Sequence, residues 1–385
     1  MNPTKKQKPR KHNHRTRKRK KERMLVIPSS TSLEIRKISN RIANDFPLHN
    51  RNVSSYAPSI NENLVALKSI PREPLLDCNI GSAFRLQEPL QIGIPGLIYG
   101  KYCNDFNSLE AKKFLLKNLS ANKHIDPKLV VPPIQSQGNC WFNAMFVTFF
   151  VSDKGRKFFH FLRQLMIEGR QSNGLVIPEK IRNAFALLNF GIDACLTGNK
   201  FAYDFDTNSI IHQLFNSIPR GYRSQNIVDV RQAGNPILYY MSMINYLNNN
   251  SIHLMLIRYS KSNWKDHVIQ NIRSAMHLPH AIVLEVFDDD ASEFDKKPTS
   301  FKIDDTTYRI DSAIVRDTSK QHFCATVTCE GKEMAYDGMS FHRLVPLEWK
   351  ERMNSNLNWQ FAGTKAGLVW NFTKCYQMLI YYRSS

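Results

Sequence analysis

Three residues of this chain have the types and surroundings to do chemistry together: a cysteine, a histidine and an aspartate. Cys140 heads an apolar run, CWFNAMFVTFF, directly after Gly138 and Asn139. Phe142, Met145, Phe146, Phe149 and Phe150 recur at three- and four-residue spacing, which predicts a helix with Cys140 in its first turn. Unpaired backbone N–H groups and aligned peptide dipoles favour negative charge at that end, and a thiol placed there is more readily a thiolate nucleophile. Such a nucleophile needs an imidazole to share its proton and a polar side chain to hold the imidazole. The segment QHFCATVTCEGKEMAYDG, Gln321 to Gly338, offers both. His322 opens a strand with Phe323, Ala325 and Val327 on one face and Cys324, Thr326 and Thr328 on the other. Glu330 and Gly331 make a turn, and Glu333 to Tyr336 return antiparallel to end at Asp337. A hairpin of that register brings Asp337 back beside His322. The other histidines lack such a setting; His277 and His280 lie close together, but no cysteine or second pair completes a metal site.

The elements that must position these residues fall into two kinds. Pro127, Pro132 and Pro133 make the approach to Cys140 extended. Ser108 caps a helix running through Leu119. From Cys140 to about Asn250 helical stripes dominate: Phe158, Phe161, Leu162, Leu165 and Met166, then Arg182 to Phe190, Ser209 to Phe215 and Ile237 to Leu247. From Ser251 short runs rich in Val, Ile and Tyr take over: Ile252 to Tyr259, His280 to Phe287, Tyr308 to Val315, Ala325 to Cys329 and Met378 to Tyr382. A helical half followed by a strand-rich half predicts an α+β protein of two lobes, a helical lobe carrying Cys140 and an antiparallel β lobe carrying His322 and Asp337. No internal repeat is present.

Bulk properties set limits. The formal charge of +20 is concentrated at the start: residues 1–23 hold twelve Lys or Arg and one acid, for +11, leaving +9 for the rest. This tail reads as disordered, with a phosphate-contacting, nucleic-acid or nuclear-localisation role. Residues 24–130 form an extension with little sustained periodicity, ahead of a domain spanning 131–385. Seven cysteines with no CxxC pair argue against a zinc ribbon and a disulfide framework and predict a reducing, intracellular setting, and the basic tail adds a nuclear or virion location. The N-terminus lacks the apolar core of a signal peptide, and no run has the ~20 apolar residues that span a bilayer, so no membrane contact is expected.

Three segments resemble the ubiquitin-specific proteases, a papain-like family of deubiquitinases. GNCWFNA, Gly138 to Ala144, is similar to that family's cysteine box. Tyr308 to Val327, YRIDSAIVRDTSKQHFCATV, resembles its histidine box, and Cys375 to Arg383, CYQMLIYYR, its closing strand. The order Cys, His, Asp agrees, and the resemblance covers roughly residues 131–385. It implies a papain-like two-lobed cysteine protease fold. It also implies hydrolysis after the C-terminal Gly of ubiquitin or a ubiquitin-like modifier by Cys140, His322 and Asp337, with no cofactor. The family's Thr before the cysteine is missing, and the shortened Gly-Asn-Cys run also resembles the ovarian-tumour-type box. An Asn lies five residues before the family's cysteine; here that position is Gln135, so Gln135 or Gln137 is the candidate oxyanion donor. The family's four-cysteine zinc site is absent. The Asn- and Lys-rich composition fits a divergent member of the sort large DNA viruses encode. A second expectation is a catalytically silent, protease-like structural or virion protein that binds nucleic acid through residues 1–23.

Overall fold

The computed structural model describes residues 72–95, 102–223, 227–230, 232, 234–247, 252–259, 264–275, 278–294, 296–365 and 367–384. The basic tail and its expected nucleic-acid contact lie outside these residues, as do the first residues of the extension.

A helical region leads. It begins with α1 (Ile80–Phe84) and a small antiparallel pair, β1 (Gln91–Gly93) and β2 (Cys103–Asp105). It continues through α2 (Leu109–Ala121), α3 (Cys140–Phe150), α4 (Asp153–Glu168), α5 (Glu179–Thr197), α6 (Asn208–Ser217) and α7 (Pro236–Tyr246). Local chemistry sets several of these ends. Ser108 Oγ accepts the Ala111 N–H at 3.1 Å to start α2, and Ser152 Oγ accepts the Gly155 N–H at 3.0 Å to start α4. Gly169, at φ 74°, ends α4 in the left-handed conformation.

The rest is an eight-stranded sheet with α8 (Trp264–Ser274) inserted early. Its strands are β3 (Leu254–Arg258), β4 (Ala281–Val286), β5 (Ser300–Ile303), β6 (Thr306–Arg316), β7 (Phe323–Cys329), β8 (Lys332–Tyr336), β9 (Leu344–Pro346) and β10 (Gln377–Ser384). They lie in the order β3-β4-β10-β6-β7-β8-β9, with β5 paired to β6. The expected antiparallel sheet is in fact mixed, because β3 and β4 run parallel with α8 as their crossover. A parallel pair needs such a connection, and α8 escapes a periodicity reading because it buries only Val268 and Ile272.

Alternation along the strands sorts side chains between two apolar clusters. Val283, Ile314, Ala325, Val327 and Ile380 join the helical layer, while Leu284, Val315, Cys324, Ala335 and Leu379 face a second cluster containing Trp349, Trp359, Trp370 and Phe372. The central strands therefore have no watered face, which is why they read as short apolar runs. Residues 72–130 feed the helical cluster through Leu90, Ile92, Phe114 and Leu115. Each fully buried Phe or Leu adds roughly 1.5–3 kcal/mol of transfer free energy.

One cysteine expectation is overturned. Cys78 and Cys103 form a disulfide, with their Cα atoms 5.7 Å apart. This points to an oxidising environment rather than the reducing intracellular one inferred from the odd cysteine count. An odd total leaves room for one bridge among free thiols, and Cys140, Cys195, Cys324, Cys329 and Cys375 remain free. Among the described residues no helix is long and apolar enough to cross a membrane, and no group of His, Cys, Asp and Glu could hold a metal ion.

A buried ion cluster ties the sheet to the helices. Asp153, the first residue of α4, accepts the Glu330 N–H at 2.7 Å and the Gly331 N–H at 3.0 Å. Arg156 bridges Asp153 and Glu330, both at 2.9 Å, and Glu330 reaches His124 at 3.2 Å and the Ile125 N–H at 3.0 Å. The turn it grips joins β7 to β8, with Glu330 at φ 48° and Gly331 at φ 73°. Two successive left-handed residues make a tight hairpin turn; glycine adopts this conformation freely, whereas Glu330 is strained in it. The charge-assisted bonds from Asp153 offset that strain.

Candidate active site

Cys140 opens α3 as the sequence predicts, half-buried, with Asn139 as the residue before the helix. The Asn139 side chain does not cap α3. It is turned away, its Nδ2 donating to Thr207 Oγ1 at 3.1 Å and to Asp206 Oδ1 at 3.4 Å. One turn along, Asn143 accepts from Thr207 Oγ1 at 2.6 Å and donates to Ile134 O at 3.1 Å. Ser136 Oγ donates to Asp206 Oδ2 at 2.7 Å. These bonds fix the loop before Cys140 from below. Trp141 is buried against Tyr239, with ring centroids 5.1 Å apart, so it supports the helix start from within the core.

The extended approach is also tied to the sheet, largely through its carbonyls. Arg343 donates to Pro132 O at 2.8 Å, Tyr336 Oη to Pro133 O at 2.8 Å, and the Gln135 N–H to Gly338 O at 3.1 Å. Gln135 and Gln137 therefore lie on the segment that joins Cys140 to the loop after Asp337. The Gln135 side chain folds back, its Nε2 donating to Gln137 O at 3.2 Å, while the Gln137 side chain is exposed.

The hairpin forms in the predicted register, with Ala325 opposite Tyr336 and Cys329 opposite Lys332. Its free ends bring His322 Nε2 to 2.7 Å from Asp337 Oδ1, both side chains being buried. Asp337 Oδ1 also accepts the Met339 N–H at 3.0 Å. Cys140 heads α3, which packs against β7, the strand that His322 precedes, and it lies near enough to the imidazole to raise its pKa. Nε2 is spent on Asp337, which leaves Nδ1 as the other ring nitrogen. Burial pulls the His322 pKa down, but the hydrogen bond to Asp337 and the neighbouring Asp337 and Cys140 outweigh it and push it up to about 9. Of the three residues singled out from sequence, His322 and Asp337 are directly bonded, and Cys140 stands on the helix packed against their hairpin.

Two neighbours were not foreseen. Asp317 is buried and accepts the His322 N–H at 2.6 Å and the Gln321 and Ser319 N–H groups, each at 2.8 Å. The Asp317 N–H in turn donates to His322 O at 2.8 Å. The backbone of His322 is therefore held at both ends. Trp370, fully buried, presents its ring edge-on to the imidazole with centroids 5.8 Å apart. The Asp-Thr-Ser run at 317–319 is a turn-forming signature that could have flagged Asp317. Nothing local to Trp370 announces its contact.

No protein-family model matches this chain, and no curated protein does. Among solved structures, the chain is similar to one titled as the SAGA DUB module bound to ubiquitin aldehyde, with TM-score 0.41, 10% identity, and 67% of this chain and 70% of that one covered. It is also similar to an essential yeast splicing factor, with TM-score 0.39, 9% identity, and 80% and 88% covered.

Proposed function

We propose that this chain is a cysteine-type hydrolase with a papain-like two-lobed arrangement, cleaving the bond after the C-terminal Gly of ubiquitin or a ubiquitin-like modifier. The observation that carries the reading is the His322–Asp337 bond of 2.7 Å on a hairpin whose first strand packs against the helix begun by Cys140. In this reading Cys140 Sγ passes its proton to His322 Nδ1 and attacks the scissile carbonyl, forming a C–S bond. The developing oxyanion meets the Cys140 backbone N–H, which no Asn139 side chain obstructs, and an N–H of Gln135 or Gln137. Collapse expels the amine, which takes the proton from His322, and a thioester remains. Water then adds to the thioester as His322 takes a proton, and the thiol leaves. Asp337 stabilises the imidazolium throughout. No step requires a cofactor.

The substrate class rests on the resemblance of Gly138 to Ala144, Tyr308 to Val327 and Cys375 to Arg383 to the ubiquitin-specific proteases. The test is a ubiquitin probe bearing a C-terminal electrophile, run beside ubiquitin-like counterparts. Covalent labelling of the full chain that vanishes in Cys140→Ala is the expected result. Folded protein that none of the probes labels would overturn the reading.

A further inference from the structure

A groove lies beside the candidate active site on the helix-side face of the sheet's last strands. It encloses about 500 Å³, between β8 and β9 on one side and the segment 127–132 on the other. Its floor is apolar, with Val131, Met334 and Leu344. Its rim carries Lys128, Lys332 and His342, all exposed, and no acidic residue lines it. At one end stands Phe341, 82% exposed. Its backbone is fixed, the Phe341 N–H donating to Ala362 O at 3.1 Å, and the ring lies over Gly363, where a β-carbon would come within 2.5 Å of it. A large aromatic presented to solvent on a fixed backbone is the anchor typical of protein interfaces.

We infer that this groove docks an acidic, apolar-studded extended segment of a partner protein. Charge complementarity selects the occupant: a cationic rim without a compensating carboxylate favours Asp and Glu, while the apolar floor and Phe341 favour interleaved Leu, Ile or Phe. Phe341, His342 and Arg343 of the loop after Asp337 line the groove beside residues 130–132, so the docked segment lies next to the Cys140 approach. The inference stands without the proposed hydrolysis, since it concerns binding alone.

The test is fluorescence polarisation with the full chain and three labelled peptides, alternating Glu–Leu, Glu–Ser and Lys–Leu. The Glu–Leu peptide binds saturably and the other two bind at least about tenfold more weakly. Phe341→Ala and the pair Lys128→Glu, Lys332→Glu each weaken Glu–Leu binding by about tenfold or more. These side chains are exposed, so the variants melt with the parent. Equal binding of Glu–Ser would assign the effect to general charge and overturn the inference. So would Glu–Leu binding that survives the substitutions, or an oligonucleotide that displaces the peptide from Phe341→Ala and parent alike.

Discussion

Asp153 accepts the Glu330 amide at 2.7 Å, fastening the far end of the His322–Asp337 hairpin to the helix immediately after the one that begins at Cys140. The helical region and the sheet each supply one side of the candidate site, and this bond lies at a point where they are joined. Asp153 is almost wholly buried, and burial raises its pKa against the pull of Arg156 and the two turn amides. Replacing it with Asn sets an amide against two N–H donors and leaves the Arg156 charge short of a partner. Asp153→Asn is expected to cost about 3–5 kcal/mol, the range for breaking a buried ion pair. Chemical denaturation measures this, and a loss within the noise of a surface mutant would refute the clamp.

The pKa of His322 sets the upper limb of the pH profile. It is raised from 6.5 to about 9, so the native contacts favour the protonated ring. That stabilisation is whole below the unfolded value near 6.5 and is lost as pH rises through about 9. In the proposed mechanism, the imidazolium that gives its proton to the leaving amine disappears over the same interval. Turnover of a ubiquitin C-terminal amide substrate should therefore fall away near pH 9. In Asp337→Asn that limb should move down by roughly 1–3 units, because a neighbouring opposite charge is removed. A limb that stays in place would separate Asp337 from the titration of His322.

Asp317 acts through His322 and is a positioning residue. Asp317→Ala frees three backbone N–H groups, including that of His322. A displaced imidazole is expected to lower kcat/KM on the order of 100-fold. Alkylation of Cys140 by iodoacetamide should persist, with the upper pH limb moved. If the substitution lowers the melting temperature alone, with the pH profile intact, the role is purely structural.

The Cys78–Cys103 bridge closes a loop with a sequence separation of 25 residues. The chain-entropy model assigns such a loop roughly 3–4 kcal/mol. Reduction should lower the melting temperature to that of the Cys78→Ser, Cys103→Ser double variant. Hydrogen exchange should rise first at Ile92 and Asn104, which pair across β1 and β2. Melting that is indifferent to reductant would show the bridge to be energetically idle.

What was legible in the sequence was local. Cys140 at a helix start, Ser108 as a cap, and the Glu330–Gly331 turn returning the chain to Asp337 each follow from residues within one turn or one hairpin. The pattern fails where partners are distant. Thr207 beneath Asn139 and Asn143, and Trp370 beside His322, are tertiary contacts with no periodic trace. The α8 crossover hid because only two of its residues are buried, and the single disulfide hid because spacing cannot tell one pair among seven cysteines.

The two halves of the proposed Cys140–His322–Asp337 site differ in how they are secured. Fifteen residues of hairpin keep the imidazole and carboxylate together, so that couple travels as a unit wherever β7 and β8 go. The sulfur belongs to another part of the chain and joins them only while α3 stays seated on β7. If the proposed mechanism holds, gradual loosening of the molecule should silence the thiol first, leaving an intact but idle acid–base pair behind.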